Sequence, residues 1–546
     1  MSVQFPDGFV FGAATAAFQI EGAAAEDGKV DSIWDVFCRQ PGAIARGEDA
    51  TTACDHYHRV SDDVQLMADL GLNSYRFSIA WPRVITPAGV NTAGLDFYSR
   101  LVDELLAHDI APWLTLYHWD LPAYLPGGWT NRETAYRFAE YTQVVHARLG
   151  DRIRTWTTLN EPWCSAFLGY AAGHHAPGLT DRAASIRAAH HLMLAHGLAV
   201  QVLREADATA RLGITMNFTP AMPATTDPQD IDVARRIDGT ANRFFADAVF
   251  KGRYPADVVA DLADVWPEDL VHDGDLDVIS TPIDVLGVNY YTTNVFAAGQ
   301  PDSAHPSPHI TAPDSVHVMR ELPVTEMGWE VEPSGLHRLL KRLQDDYTGP
   351  AGASLVVTEN GAAFADRPDD DGFVDDTADR CDYLRRHLLA AHHAIEEGVD
   401  LQGYFVWSLM DNFEWAFGYD KRFGIVRVDE KLNRIPKASG QWFAQVARSH
   451  VLPAVGSAGP DVAANAQHGE PAAAEDEASG SAVVAAGDDP ALGSAEPQLP
   501  ASPWSADLPP ARELPVSPWS AESAPETATP TSVPTPELPP SQTDPR

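Results

Sequence analysis

Two glutamates stand where short β-branched runs break off into polar residues. Glu161 follows "TWTTLN" (155–160), and Glu359 lies in "SLVVTENG" (354–361). Two such carboxyls can split an acetal: one, protonated, gives its proton to the leaving oxygen, and the other, ionised, attacks the anomeric carbon or activates water. A spacing of about 5–5.5 Å suits retention of configuration and one of about 6.5–9.5 Å suits inversion. The residues alone leave that spacing open. Other runs close on Gln19, Arg76, His118, Trp119, Asn160, Asn217, Asn289, Tyr291, Asn360 and Trp407, with Glu414 and Trp415 just beyond. Amides and carboxylates pair with hydroxyl groups, and aromatic faces stack on sugar rings, so a rim built from these residues suits a neutral polyol. Each has a plainer reading as a cap, a structural ion pair or core. Their gathering on one rim favours the chemical one.

Such a rim requires elements that end together. Eight apolar, β-rich segments recur at 9–22, 74–81, 111–120, 154–162, 211–220, 284–293, 354–363 and 401–413. Helical periodicity fills most of the intervals, as at 61–71, 91–109 and 376–398. Asp or Asn stands near the start of the first two helices, and two of the three end at Gly. Continuous apolar strands alternating with helices predict a parallel sheet covered on both faces. Eight such units predict an α/β fold, a (β/α)8 TIM barrel, with its site at the C-terminal strand ends. An open doubly wound sheet would want a G-x-G-x-x-G turn, which does not occur.

The 546 residues carry a formal charge of −39, against nucleic acid and anionic membranes as partners. Four scattered cysteines without a C-x-x-C pair predict neither a zinc site nor a disulfide framework, and free thiols suit a reducing compartment. The opening "MSVQFPDGFVFGAATAAF" has no basic leader and no membrane-spanning run follows, so a cytoplasmic location is expected. Adjacent histidines (174–175, 190–191, 392–393) do not share a helix face and H-E-x-x-H is absent; no metal and no cofactor is expected. Near residue 455 the composition turns to Ala, Pro, Ser and acidic residues. This predicts a barrel domain over 1–455 and a disordered acidic tail over 456–546. The tail holds the near-repeats "QLPASPWSA" and "ELPVSPWSA", read as duplicated linker or as short binding motifs.

Taken together, "FQIEG" (18–22), "YRFSIAWPR" (75–83), "TLNEP" (158–162), "VTENG" (357–361) and "WSLMDNFEWAFGY" (407–419) closely resemble glycoside hydrolase family 1, from about Phe5 to about Val451. The resemblance implies a retaining β-glycosidase on a (β/α)8 barrel, with Glu161 as acid/base and Glu359 as nucleophile. It implies that Gln19, His118, Asn160, Glu414 and Trp415 hold the glycone hydroxyls over a Trp407 platform. Tyr291 and Arg76 match partners of the nucleophile, with Asn289 and Phe423 in support, and Trp163, Asn217 and Trp329 match the aglycone side. A non-proline cis bond at Trp407–Ser408 is also implied. Arg76 is expected to keep Glu359 ionised, and the Glu359 charge to raise the pKa of Glu161. The family's commoner Tyr is Phe18 here, a change expected to touch none of these roles.

Relatives that cleave thioglucosides carry Gln at the acid/base position, where this chain has Glu161. Relatives that take 6-phosphoglycosides carry Ser, Lys and Tyr where this chain has Glu414, Lys421 and Phe423; only Lys421 fits, so a neutral glycone is favoured. The resulting expectation is hydrolysis of terminal non-reducing β-D-glucosyl residues of small glucosides or oligosaccharides by double displacement. β-Galactosides and β-fucosides are expected as further substrates, in carbohydrate metabolism that includes cellulose breakdown. Two alternatives belong to other classes. A catalytically idle sugar-binding protein would more naturally have lost one carboxylate, and both are present. A tail-centred docking protein would carry the barrel as cargo.

Overall fold

A computed structural model describes residues 2–300 and 306–453. The expected tail with its Trp-centred near-repeats lies outside the described residues. Eight parallel strands form the barrel: β1 (Val10–Ala14), β2 (Ser74–Ser78), β3 (Ala111–Tyr117), β4 (Thr155–Asn160), β5 (Arg211–Asn217), β6 (Val285–Asn289), β7 (Ser354–Asn360) and β8 (Leu401–Trp407). Each pairs with the next, and β8 returns to β1 in the register Gly403↔Val10 to Trp407↔Ala14. All eight β-rich segments of the sequence therefore supply a strand. Each strand is shorter than its segment, because the polar residues that close the segment leave the sheet for the rim.

Side chains fill the barrel. A Cβ on Gly12 would meet the Phe405 ring at 2.4 Å, and Phe405 packs edge-on against Trp113 at 5.3 Å. The Trp113 indole donates to Thr157 Oγ1 at 2.8 Å, so its one polar atom is paired inside. Helices such as Thr92–Ala107 and Arg182–Ala206 cover the outside. Asn91 precedes the first of these but does not cap it. Its amide donates instead to the carbonyls of Asp27 and Arg83, at 2.7 and 2.8 Å. The helix expected over 61–71 begins earlier, at His56, and the segment 376–398 opens as a wide turn (Thr377–Cys381) before its α-helix. Val3–Gln4 pairs antiparallel with Val451–Leu452, closing the two ends of the described chain on each other. No helix among the described residues is long and apolar enough to cross a membrane.

Candidate active site

Three strand pairs of the barrel shift register, and all three involve a strand that carries a glutamate: β4–β5 between Thr157 and Asn160, β6–β7 at Val288/Asn289, and β7–β8 between Leu355 and Asn360. Such irregularities re-aim side chains at strand ends. At the tip of β4 the Glu161 amide donates to Thr215 O at 2.9 Å, and its φ is +50°. Trp119 (φ +77°) and Trp415 (φ +49°) share this left-handed backbone on the same rim. Each costs about 1–3 kcal/mol for a residue with a side chain, and such strain clusters at sites that must hold groups in one direction. Beside Glu359, Gly361 lets β8 approach: a Cβ there would lie 1.6 Å from the Trp407 carbonyl oxygen. The Trp407–Ser408 bond is cis, as the resemblance implied.

The two glutamates are buried and tied into one network. Arg76 donates to Glu359 Oε1 at 2.6 Å and to Asn160 Oδ1 at 2.7 Å. The Tyr291 hydroxyl donates to Glu359 Oε2 at 2.7 Å. Asn289 Nδ2 donates to Asn160 Oδ1 at 3.1 Å and to Glu161 Oε1 at 2.8 Å, and its side chain also acts on Glu359. Thr358, which the sequence reading passed over, fixes this amide by donating to Asn289 Oδ1 at 2.8 Å.

The network also fixes a tautomer. Asn160 Oδ1 accepts twice, so Nδ2 is its donor, and it donates to His118 Nε2 at 3.0 Å. His118 is therefore protonated on Nδ1, a buried atom with no protein partner. Burial, reinforced by the Arg76 charge, holds its pKa well below the usual histidine range, so the ring is neutral. Gln19 shows the complementary pattern. Its Nε2 donates to Asn412 Oδ1, the Phe413 carbonyl and Glu414 Oε2 at 3.0, 2.8 and 3.4 Å, leaving Oε1 buried without a protein partner. One orphaned donor and one orphaned acceptor, both buried, match what a hydroxyl group needs.

Electrostatics separates the two carboxyls. Burial first, then the Glu359 charge, pushes Glu161 up to about 8, partly offset by hydrogen bonds from Asn289 and from the Cys164 thiol, which the sequence reading also missed. Cys164 stands three residues beyond Glu161, where the chain begins to coil, and that spacing was its only signal. Burial raises Glu359 as well, against Arg76 and the Tyr291 hydroxyl. Removal from water thus raises Glu359, while Arg76 and Tyr291 act in the opposite direction and favour its ionised form, as expected of Arg76. Of the pair, Glu359 alone has a cation and a phenol donating to it, so it releases its proton first. Glu414 is also pushed up to about 8, by burial and then by the charges of Glu359 and Glu161.

The aromatic wall is continuous. The His118 ring stacks on Trp407 (5.6 Å, 19°) and Trp415 (6.1 Å, 15°). Phe18 lies parallel to Trp415 at 5.9 Å and touches Phe413 and Trp34, so its ring, which Tyr and Phe share, supports the aromatic wall. Tyr291, Trp329 and Phe423 pack together at 5.3–6.2 Å. Gln19 sits on a single helical turn, Ala17–Ile20, after β1 rather than on the strand. Trp163 and Asn217 are peripheral. Trp163 faces His309 at 6.0 Å, Asn217 reaches the network only as the cross-strand neighbour of Asn289, and Trp163 Nε1 and Asn217 Oδ1 are buried without protein partners.

Three of the paired histidines make scaffold contacts: His190 bonds Tyr254 and Asp275, His191 the Trp129 carbonyl, and His392 the Gln4 carbonyl. Among the described residues no three His, Cys, Asp or Glu side chains converge in a way that could hold a metal ion.

Comparison with known proteins agrees with this geometry. The family model described as glycosyl hydrolase family 1 matches residues 1–451. A bifunctional beta-D-glucosidase/beta-D-fucosidase of Bifidobacterium breve is 50% identical over 468 residues, covering 82% of this chain and 99% of that protein. The crystal structure of a psychrophilic beta-glucosidase from Micrococcus antarcticus superposes with a TM-score of 0.79 at 50% identity, covering 82% of this chain and 98% of that one. A beta-glucosidase from Thermotoga maritima, solved in complex with deoxynojirimycin, gives 0.77 at 43% identity over 82% and 99% of the two chains.

Proposed function

The chain belongs to glycosyl hydrolase family 1, and from that premise we propose that it is a retaining β-glucosidase with Glu161 as acid/base and Glu359 as nucleophile. The observation that carries the proposal is the pair itself. Two buried carboxyls sit in one network, in which Asn289 donates to Glu161 while only Glu359 has a cation and a phenol as donors. Membership of the family, whose resemblance implies retention, supports retention over inversion.

In the first displacement Glu161 gives its proton to the glycosidic oxygen as Glu359 bonds to the anomeric carbon and the aglycone leaves. The glycosyl ester no longer carries the Glu359 charge that helps to raise Glu161. Glu161, now an anion, takes a proton from water, whose oxygen displaces Glu359 and releases the sugar. Arg76 and Tyr291 hold the departing carboxylate at both ends. Asn160 has one Nδ2 hydrogen left after His118, available to the 2-hydroxyl as charge develops on the ring. His118 Nδ1–H and Gln19 Oε1 offer the donor and acceptor for a neighbouring hydroxyl, Glu414 and Trp415 complete the glycone wall, and Trp163, Asn217 and Trp329 face the aglycone.

The substrates of this reading are small β-glucosides and oligosaccharides, including those of cellulose breakdown, with β-galactosides and β-fucosides as further glycones. A name that pairs glucosidase and fucosidase activity in a 50% identical relative supports the breadth. Lys421 Nζ is engaged by the Glu326 carbonyl at 2.6 Å, which weighs against a 6-phosphate. A cytoplasmic location is part of the same reading; four free, buried cysteines suit a reducing compartment. A panel of aryl β-glycosides assayed with EDTA tests the function. The glucoside should turn over unchanged by EDTA, with galactoside and fucoside active and the 6-phosphoglucoside poor. Preference for the phosphorylated substrate, or loss of turnover in EDTA, would refute it.

A further inference from the structure

The segment after β8 carries Glu414, Trp415 and Phe423, and its base is sewn by backbone bonds: Asp411 N to Val426 O at 2.9 Å, Val426 N to Leu409 O at 3.0 Å, and Ile425 N to Ser408 O at 2.9 Å. Asp411 is the hub. Its Oδ1 accepts from Gly424 N at 3.0 Å and from Lys437 Nζ at 2.8 Å, and its carbonyl accepts from the Cys54 thiol at 3.2 Å. The closure is tight, since a Cβ on Gly424 would fall 2.1 Å from Asp411 N.

Lys437 is fully buried and pairs with Asp366 at 2.5 Å as well as with Asp411. Asp366 also meets Arg380 at 3.2 Å, and Arg380 pairs with Asp376 and donates to the Arg422 carbonyl at 2.8 Å. Asp376 in turn accepts from Ser439 N and Oγ, both at 2.7 Å. Two cations and three carboxylates are thus sunk under the loop. A buried ion cluster rarely stabilises a fold more than apolar packing of the same volume would, and its best-attested use is to fix one arrangement.

The arrangement fixed here leads into the site. The residues after Asp411 are the acceptors that orient Gln19: Asn412 Oδ1, the Phe413 carbonyl and Glu414 Oε2 surround Gln19 Nε2. Three acceptors on one amide nitrogen set which way Oε1 faces, and Glu414 is one of them. We infer that Lys437 is a positioning residue which, through Asp411, sets the 411–415 segment and so the directions of Gln19 and Glu414, governing affinity for the glycone rather than chemistry at the carboxyl pair. This rests on the glycosidase reading above.

The test compares Lys437→Met, Asp411→Ala and the double variant with the wild type, reading KM and kcat on an aryl β-glucoside, inhibition by glucose, and thermal melting. Each single variant should raise KM and the glucose inhibition constant about tenfold with kcat per folded enzyme within about threefold. The double variant should show less than the sum of the two single effects, because both break the Lys437–Asp411 contact, and Lys437→Arg should recover part of the affinity. Unchanged KM and glucose inhibition in the folded variants, a fall in kcat at constant KM, or additive effects would overturn the inference. If Lys437→Met does not fold, Asp411→Ala decides by the same readouts. A wild type that fails to hydrolyse the glucoside would instead refute the proposed function, and binding of glucose would still report on the loop.

Discussion

Glu414 shows how far burial drives this site. Its pKa, lifted from 4.5 to about 8, lies above its value in the unfolded chain. The folded state is therefore at no disadvantage below pH 4.5, and it loses stability as the pH rises to about 8. Glu414→Gln removes that term. Its stability relative to wild type should rise between pH 4.5 and 8 and level off above, by a few kcal/mol at about 1.4 kcal/mol per pKa unit, while glucoside affinity falls. Denaturant melts at pH 5, 7 and 8.5 check this, and a pH-independent difference would contradict it. Glu161→Ala should cost about 10²–10⁴-fold on glucosides with poor leaving groups and far less on activated aryl glucosides; equal losses on both would exclude Glu161 as the acid. Residue types at the rim were legible in the sequence because amides, carboxyls and aromatics are conspicuous where apolar strands end. What burial does to their charges was not legible, since burial depends on every neighbour at once. Hence the Arg76–Glu359 pairing was foreseen from the resemblance, but not that burial would dominate both glutamates.

Strands are the elements that place these residues, and the sequence marked all eight, because a buried parallel strand needs an unbroken apolar run. Their ends and register shifts were not marked, as these depend on partner strands 46 to 70 residues away, such as Asn160 opposite Thr215 and Asn289 opposite Glu359. Gln19 illustrates the consequence, being expected at a strand end and found on the turn that follows. The junction of β7 and β8 depends on a missing side chain. Gly361→Ala would force a Cβ against the Trp407 carbonyl, so it should lower the melting temperature by at least a few degrees and cut turnover through the displaced Glu359. Wild-type melting and activity in that variant would show that the two tips can separate freely.

At the scale of the whole molecule, the described chain closes on itself through Val3↔Leu452 and Gln4↔Val451. The barrel is proposed to be the functional unit, so removing residues 456–546 should leave kcat/KM within about twofold, as expected for a change outside the groups that touch substrate. A further cut at residue 448 should destabilise the protein, because it removes the partner of Val3–Gln4 and the buried Leu452. A large loss of turnover on the first cut would give the tail a part in the chemistry. The composition change near 455 is the ground for proposing this boundary; the pairing of the chain ends was not legible, since two-residue strands leave no periodic trace. The ion cluster at Lys437 was equally hidden, its members being spread from residue 366 to 439 with no local pattern.

The central claim is that Glu359 forms a bond to the sugar and Glu161 serves in turn as acid and base. Proton NMR of an aryl β-glucoside during the first minutes of hydrolysis reads it most directly. The account predicts that β-glucose appears first and equilibrates with the α-anomer only later; α-glucose as the first product would contradict it.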